Sequence, residues 1–216
     1  EKFSKINNQL YDLNGVKPIV SISRYYPYKE NYTHILGYVS QANEKDILSN
    51  KIVKDKFVQG LKVGKIGLEK SFENILIGNN SIERYEVNAY GRRVSQLAFQ
   101  NGDKGKNIKL TIDTEVQKFV NELLVEKAGS ICVMDIFTGH LIAMHSSPSF
   151  DPNAFVFGIS QDDWQLIRNN PMKPLVNKTL SGNYSPGSTI KPIVALSALE
   201  NDIISPNFTV NCKGHK

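Results

Sequence analysis

The sequence lacks any apolar run of about 18 residues, the length that a membrane-spanning helix needs. It also lacks the positively charged start and following apolar stretch of a secretion signal. No internal repeat or low-complexity tract is present. We therefore expect the chain as given neither to span a membrane nor to carry a signal sequence.

Cysteine is scarce, since the chain has only Cys132 and Cys212, and their separation is not a metal-ligand spacing. Cys132 lies in an apolar run, Ile131–Met134, so we expect a buried thiol.

His140 and His145 have no second ligand at a suitable spacing and are expected at the surface or at a sheet end. His34 is expected to be structural. The sequence predicts no metal and no cofactor.

The charge balance is only mildly basic, with 26 Lys and Arg against 21 Asp and Glu and a net charge of +5. The lysines are scattered along the chain, which favours a solvated surface over a nucleic-acid-binding patch. A length of 216 residues suits one large or two small domains with ample length for a core.

The stretch with the clearest chemical meaning is Asn183–Pro192, with the sequence NYSPGSTIKP. Pro186 and Gly187 predict a sharp turn, and Pro192 is tolerated only near the first turn of a helix. Ser188 is therefore expected at or near a helix N-cap, with Lys191 on the same face one turn later.

A serine hydroxyl becomes an effective nucleophile when a neighbour removes its proton, and a partly desolvated lysine can act as that neighbour. A helix N-terminus adds N–H groups and a positive dipole end beside the reacting centre. A Ser-x-x-Lys pattern by itself more often marks a serine N-cap followed by a solvated lysine. The residues around it decide between the two interpretations.

Those residues resemble the first active-site motif of the penicillin-binding proteins, Tyr-x-Pro-Gly-Ser-Thr-x-Lys-Pro, which carries the acylated serine. The resemblance implies that Ser188 is the catalytic nucleophile and Lys191 the proton acceptor, although the identity of the base is disputed in this superfamily. It also implies that the backbone N–H of Ser188 is one oxyanion-hole donor.

A second stretch, Gly64–Glu69, resembles the Gly-x-x-Gly-Leu-Glu pedestal motif of class B, high-molecular-mass penicillin-binding proteins. Its glycines fit neither a dinucleotide-binding fingerprint nor a P-loop. The resemblance runs from about residue 17 to the end and is strongest to the penicillin-binding protein 2 subgroup. It implies that Glu69 pairs with an arginine motif nearer the N-terminus. We expect that motif and a membrane anchor to lie upstream of this chain.

The fold class predicted is α+β, with a penicillin-binding-protein pedestal (dimerisation-type) domain followed by an incomplete penicillin-recognising transpeptidase domain. We place the pedestal at residues 1–107 and the transpeptidase part at residues 108–216, because Asn101–Gly105 is a cluster of turn residues.

The local patterns predict the main elements of both parts. Short strands are expected over residues 17–22, 82–89 and 94–99, and a hairpin over residues 129–146. Helices are expected over residues 68–77, over 108–126 with a capping box of Thr114 and Gln117, and after Ser160, which Asp163 helps to cap.

The family's second and third motifs, Ser-x-Asn and Lys-Thr/Ser-Gly, have no convincing match. Ser181–Asn183 and Ser205–Asn207 lie too close to Ser188, and Lys178–Leu180 precedes it and lacks the glycine. We therefore expect a fragment that is inactive alone. Its pedestal should be well packed and its C-terminal part poorly ordered or rearranged, with an unpaired edge on the 129–146 hairpin.

The resemblance implies a peptidoglycan D,D-transpeptidase that cross-links stem peptides during cell-wall elongation. The implied partners are stem peptides, β-lactam antibiotics and membrane proteins of the elongation complex, at the periplasmic face of the bacterial inner membrane. Two alternatives stay open. One is a Ser-x-x-Lys β-lactamase or β-lactam sensor, against which the pedestal motif argues. The other is a non-catalytic interaction module of the elongation machinery.

Overall fold

The computed structural model describes Ser4 and residues 23–214. The chain divides into two compact units, Glu1–Leu180 and Ser181–Lys216. The strand predicted over residues 17–22 lies outside the described residues. Helices and strands alternate through the larger unit, and every described strand pairs antiparallel with its partner. The mixed α+β class is confirmed.

The first part of the larger unit is a small sheet with helices packed around it. Strand β1 (Val39–Gln41) pairs with β2 (Lys62–Gly64). Asn43 begins the connection between them with a capping box, in which Asn43 and Asp46 bond each other's backbone N–H. The helices on either side of β1 are α1 (Thr33–Leu36), which follows a 3-10 turn at Lys29–Asn31, and then α2 (Glu44–Ser49) and α3 (Lys51–Asp55).

The helix predicted over residues 68–77 is divided in two, α4 (Gly67–Ser71) and α5 (Glu73–Leu76), with Phe72 between them. Apolar spacings of three and four fit one helix or two consecutive short ones, so periodicity could not detect the break. Gly64 packs against α4, where an added Cβ would lie 2.2 Å from the carbonyl carbon of Glu69. Only glycine permits that approach.

A two-stranded arm follows, made of β3 (Ile82–Val87) and β4 (Arg93–Gln100). Both predicted strands are confirmed, and Gly91 at φ +73° forms the turn between them. All residues of the arm's strands are exposed except the half-buried Tyr85, including the large apolar side chains of Val94 and Leu97. The arm therefore extends from the unit as an unpacked hairpin.

Helix α6 spans Thr114–Leu123, shorter than predicted, and the predicted capping box is wrong. Asp113 is the N-cap, and its carboxylate accepts from the N–H groups of Glu115 and Val116 at 2.9 and 3.0 Å. Asp113 precedes the helix by one residue and can therefore cap it. Gln117 is fully buried instead of capping. The apolar side chains of α6 are Val116, Phe119, Val120 and Leu123, of which only Val120 is buried, while Phe119 is 58% exposed.

The predicted 129–146 hairpin is confirmed as β5 (Gly129–Met134) and β6 (Leu141–Ser147). It forms a sheet of two strands among the described residues, so the predicted unpaired edge is present. Cys132 is exposed, because it alternates away from the face of β5 that packs inward, so the predicted buried thiol is wrong. His145 is only 2% exposed, because β6 is buried along most of its length, so of its two predicted places, the surface and a sheet end, the surface is wrong.

Beyond β6 the chain forms three short helices: α7 (Asn153–Val156), α8 (Gln161–Asn169) and α9 (Lys178–Ser181). Ser160 caps α8 and donates to Asp163, as predicted. Two buried clusters make the core of the larger unit, and both join side chains from before and after residue 107. They are Tyr26, Val39 and Val156, and Tyr32, Ile35 and Met144.

The smaller unit holds a 3-10 turn at Gly187–Ile190 and helix α10 (Lys191–Glu200). The helix is regular, and its apolar residues Ile193, Val194 and Leu196 are each about 60% exposed. Protection of amides 185–200 from hydrogen exchange would test the prediction that this part is poorly ordered or rearranged.

Candidate active site

Ser188 and Lys191 are joined by a single turn of backbone in the smaller unit. The 3-10 turn Gly187–Ile190 runs directly into α10, and the N–H of Lys191 donates to the carbonyl oxygen of Ser188. Side chains three residues apart on a 3-10 turn eclipse each other. The hydroxyl and the amine therefore leave the same face of the chain, as proton transfer between them requires.

Ser188 lies near the helix N-terminus, although it is not the N-cap. Ile190 holds that position, and Pro192 stands within the first two residues of α10. Proline is tolerated there because the first N–H groups of a helix need no acceptor within it. Gly187 adopts φ +55° without strain, which lets the turn form directly before Ser188. Ser188 and Lys191 are both exposed.

Glu69 of the pedestal motif is almost completely buried and is held by two neighbours. The Arg24 Nε lies 3.0 Å from its Oε1, and the Tyr26 hydroxyl donates to the same oxygen at 3.2 Å. That hydroxyl also accepts the N–H of Val39 at 3.0 Å. Burial, with the Glu69 charge next, raises the pKa of Tyr26 far above its ordinary value.

The expectation that the arginine partner of Glu69 lies upstream of this chain is therefore wrong. Arg24 is the only arginine before Glu69 in the sequence. The sequence does not reveal this pair, because an ion pair between residues 45 positions apart leaves no periodic pattern.

A second buried carboxylate, Glu73, was not predicted. Its side chain is buried, and its Oε2 accepts the N–H of Gly64. Burial, with the neighbouring Glu69 charge, raises the pKa of Glu73. The Glu73 carboxylate thus fixes the first residue of the Gly64–Glu69 loop, which is a structural role.

The turn Ser149–Asn153 binds the pedestal backbone directly. The Asn153 Oδ1 accepts the Tyr26 N–H at 2.9 Å, and its Nδ2 donates to the Tyr26 carbonyl oxygen at 2.9 Å. Phe150 of the same turn makes edge contacts with Tyr38 and Phe155, and the Thr33 hydroxyl donates to its carbonyl oxygen at 2.6 Å.

Three basic side chains are buried between the pedestal and β6: His34, His145 and Lys178. Burial, then the nearby Lys178 and His145, lowers the pKa of His34 to about 4. Burial also lowers the pKa values of His145 and Lys178. No hydrogen-bond partner reaches either ring nitrogen of His34 among the described residues. The predicted structural role of His34 fits this environment.

Within residue 4 and residues 23–214, no group of three His, Cys, Asp or Glu side chains could hold a metal ion. None of the helices described is both long and apolar enough to cross a membrane.

Two family models match the chain. The penicillin-binding protein dimerisation domain matches residues 1–110, and the penicillin-binding protein transpeptidase domain matches residues 129–216. The chain therefore belongs to the penicillin-binding proteins, with a dimerisation-type pedestal followed by part of a transpeptidase domain.

Named relatives confirm the resemblance to the penicillin-binding protein 2 subgroup. Peptidoglycan D,D-transpeptidase MrdA of Escherichia coli K12 is 41% identical over 93% of this chain, and that of Haemophilus influenzae is 37% identical over 97%. The chain spans about a third of the length of these relatives, 32% in both cases.

Solved structures agree with the curated relatives. A complex between penicillin-binding protein 2 and MreC from Helicobacter pylori matches with a TM-score of 0.79 and 31% identity, over 98% of this chain and 40% of that one. Pseudomonas aeruginosa PBP2 in complex with WCK 5153 matches with a TM-score of 0.72 and 30% identity, over 92% of this chain and 42% of that one.

Proposed function

We propose that this chain is the pedestal and nucleophile-bearing part of a peptidoglycan D,D-transpeptidase. The observation that carries the proposal is the Ser188–Lys191 turn at the start of α10, within the residues that match the transpeptidase model. The MrdA relatives support the reaction class. We assign the activity to the complete gene product, which is this chain together with any residues that its gene encodes before or after it.

The reaction follows from these groups. Lys191 takes the proton of the Ser188 hydroxyl, and the oxygen attacks the carbonyl carbon of the penultimate D-alanine of a stem peptide. The backbone N–H of Ser188 stabilises the oxyanion. The peptide bond then breaks, terminal D-alanine leaves with a proton on its amine, and an acyl-serine remains. An amine of a neighbouring stem attacks that ester, forms the cross-link and releases Ser188.

A β-lactam would acylate the same serine. Its ring amide opens on attack, and the leaving nitrogen stays tethered, so the protein gains the full mass of the drug.

We place the protein at the periplasmic face of the bacterial inner membrane, because the peptidoglycan substrate lies on that side. We keep the domain boundary between residues 107 and 108, which lies close to the end of the dimerisation-domain match at residue 110.

Intact mass tests the nucleophile assignment. The complete gene product is exposed to a penicillin beside two variants, Ser188→Ala and its control Ser185→Ala in the same turn. The unaltered protein and Ser185→Ala should each gain one drug mass, and Ser188→Ala should gain none. An adduct that persists in Ser188→Ala would overturn the assignment.

A second function is favoured for the pedestal, because a penicillin-binding protein 2 that matches 98% of this chain was solved in complex with MreC. We propose that the pedestal binds a corresponding protein of the elongation machinery, and the exposed β3–β4 arm offers an apolar surface for it. The chain should retain that protein in a pull-down. If a Val94→Ser, Leu97→Ser double variant retains as much of the partner protein as the unaltered chain does, the β3–β4 arm is not the contact surface.

A further inference from the structure

Two buried imidazoles lie where the pedestal meets the 129–146 hairpin. His34 belongs to α1 and His145 to β6, and their exposed fractions are 7% and 2%. Both ring nitrogens of His34 and the Nε2 of His145 have no hydrogen-bond partner among the described residues. Because buried polar groups are nearly always hydrogen-bonded, two such rings at one contact need a physical explanation.

Protonation of either ring would place a charge beside an existing one. Lys178, the first residue of α9, is buried, and its ammonium group donates to the carbonyl oxygen of Lys173 at 3.1 Å. Burial, then Lys178 and His145, lowers the pKa of His34, and burial lowers the pKa of His145. The contact therefore favours neutral rings and is destabilised by charged ones.

The other titratable groups on the elements that pack against α1 and β6 are directed elsewhere. Glu69 of α4 binds Arg24 and Tyr26, and Glu115 and Lys118 of α6 pair with each other. The remaining ones are exposed: Lys29, Glu30, Lys70, Glu122 and Cys132. Backbone carbonyl oxygens favour a proton at the rings, from Pro148 and Pro174 at His34 and from Asn31 at His145.

The hydrogen bonds that hold α1 in this contact do not titrate. The Thr33 hydroxyl donates to the carbonyl oxygen of Phe150 at 2.6 Å, and the Asn177 Nδ2 donates to the carbonyl oxygen of His34 at 3.0 Å. The Phe150 ring stands edge-on to the His34 ring, with 5.9 Å between the ring centroids. These contacts are unchanged by pH, so the protonation of the two rings decides how stable the closed contact is.

We propose that His34 and His145 form a pH-sensitive latch, which keeps α1 of the pedestal against β6 and α9 while both rings are neutral and releases it when they are protonated. All parts of the latch lie within the larger unit. Buried histidines can switch a contact in this way, and proteins can open locally without unfolding.

The sign and size of the effect follow from proton uptake. In the open contact both rings reach water, where each binds a proton at its ordinary pKa of about 6.5. In the closed contact both pKa values are lowered, to about 4 for His34. Opening therefore takes up two protons as the pH falls below 6.5, and its equilibrium constant rises by up to about 100-fold for each pH unit.

The single tryptophan of the chain can report the state of the latch. Trp164 of α8 stands edge-on to Phe155, with 6.2 Å between the ring centroids, and Phe155 contacts Phe150 at 5.2 Å. Phe150 in turn contacts the His34 ring. Release of α1 should therefore change the surroundings of this row of aromatic rings and shift the tryptophan emission.

The measurement is the tryptophan emission of the chain from pH 7 to pH 4, with the far-ultraviolet circular dichroism of the same samples. We expect emission to move to longer wavelength between pH 6.5 and pH 4, before circular dichroism is lost, with uptake of about two protons. His34→Gln and His145→Gln each lack one titrating ring. Their transitions should follow about one proton, with midpoints at lower pH.

The control is His140→Gln, which removes an exposed histidine at the hairpin turn and should leave the transition unchanged. Emission and circular dichroism that change together would show unfolding without a separate release of α1, and would overturn the latch. A constant emission down to pH 4, or the same transition in both ring variants as in the unaltered chain, would overturn it too. If one ring variant fails to fold at pH 7, the other gives the comparison.

Discussion

Glu69 is the residue on which the polar contacts of the pedestal motif converge. Its carboxylate has almost no access to water and depends on Arg24 and Tyr26 for its hydrogen bonds. Removing the charged partner of a buried carboxylate is destabilising, because the carboxylate then stays desolvated without a compensating interaction. The Arg24 contact should therefore contribute more to stability than an ion pair on the surface does.

Replacing Arg24 tests that difference. We expect Arg24→Ala to lower the free energy of unfolding by about 2 kcal/mol, less than for a fully buried pair because Arg24 is 39% exposed. Lys118→Ala is the control, since Lys118 and Glu115 form a solvent-exposed pair on α6 whose loss should change stability little. Urea unfolding of the chain measures both, and equal losses would contradict the role of Arg24.

His34 makes the stability of the larger unit depend on pH. Its pKa is about 4 in the folded chain and about 6.5 when unfolded, so the unfolded chain binds more protons between these values. The stabilising effect is complete above pH 6.5 and is lost as the pH falls toward 4. Lys178 and His145 oppose protonation, while the carbonyl groups of Pro148 and Pro174 favour it weakly.

The predicted loss is at most about 3 kcal/mol for His34 between pH 6.5 and pH 4. His34→Gln cannot take up that proton, so its unfolding free energy should fall less over the same range. His140→Gln, at the exposed hairpin turn, should retain the loss. If the unfolding free energies of the unaltered chain and of His34→Gln fall equally over this pH range, His34 does not cause the pH dependence of stability.

Among the elements, α6 shows how a local pattern can be misread. Gln117 suits a capping box by its spacing from Thr114, but its side chain points into the unit. There Nε2 donates to the carbonyl oxygens of Asn31 and Met144 at 2.7 and 2.9 Å, and Oε1 accepts the Met144 N–H at 2.9 Å. One amide thus joins the pedestal, α6 and β6.

Gln117→Glu distinguishes a capping-box role of Gln117 from its buried position, because glutamate serves a capping box as well as glutamine does. In the observed position it cannot donate to the two carbonyl groups, and it buries a charge. We expect a loss of at least about 3 kcal/mol in unfolding free energy. Asp113→Asn, which exchanges one good N-cap for another, should stay within about 0.5 kcal/mol. A neutral Gln117→Glu would contradict the buried amide.

Local patterns predicted the hairpins well, because alternation and turn residues at Gly91 and Gly139 are encoded within a few positions. The turn that carries Ser188 was predicted for the same reason. The contacts of Arg24, Gln117 and Asn177 were not, since each joins residues between 27 and 143 positions apart. A single sequence carries no signal for such pairs.

For the molecule as a whole, the pedestal and the first part of the transpeptidase domain form one compact unit with a shared core. Asparagines at 153 and 177 bind pedestal carbonyl groups, and the buried Gln117 binds a third. The pedestal thus shares its core with the first part of the transpeptidase domain.

The proposed function requires Ser188 to pass an acyl group from one stem peptide to another. The D-alanine that the complete gene product releases from a stem pentapeptide, with an amine acceptor present, measures that transfer. We expect one D-alanine to be released for each donor joined to the acceptor, and neither product from Ser188→Ala. Release of D-alanine by Ser188→Ala, or release without any joined product from the unaltered protein, would contradict it.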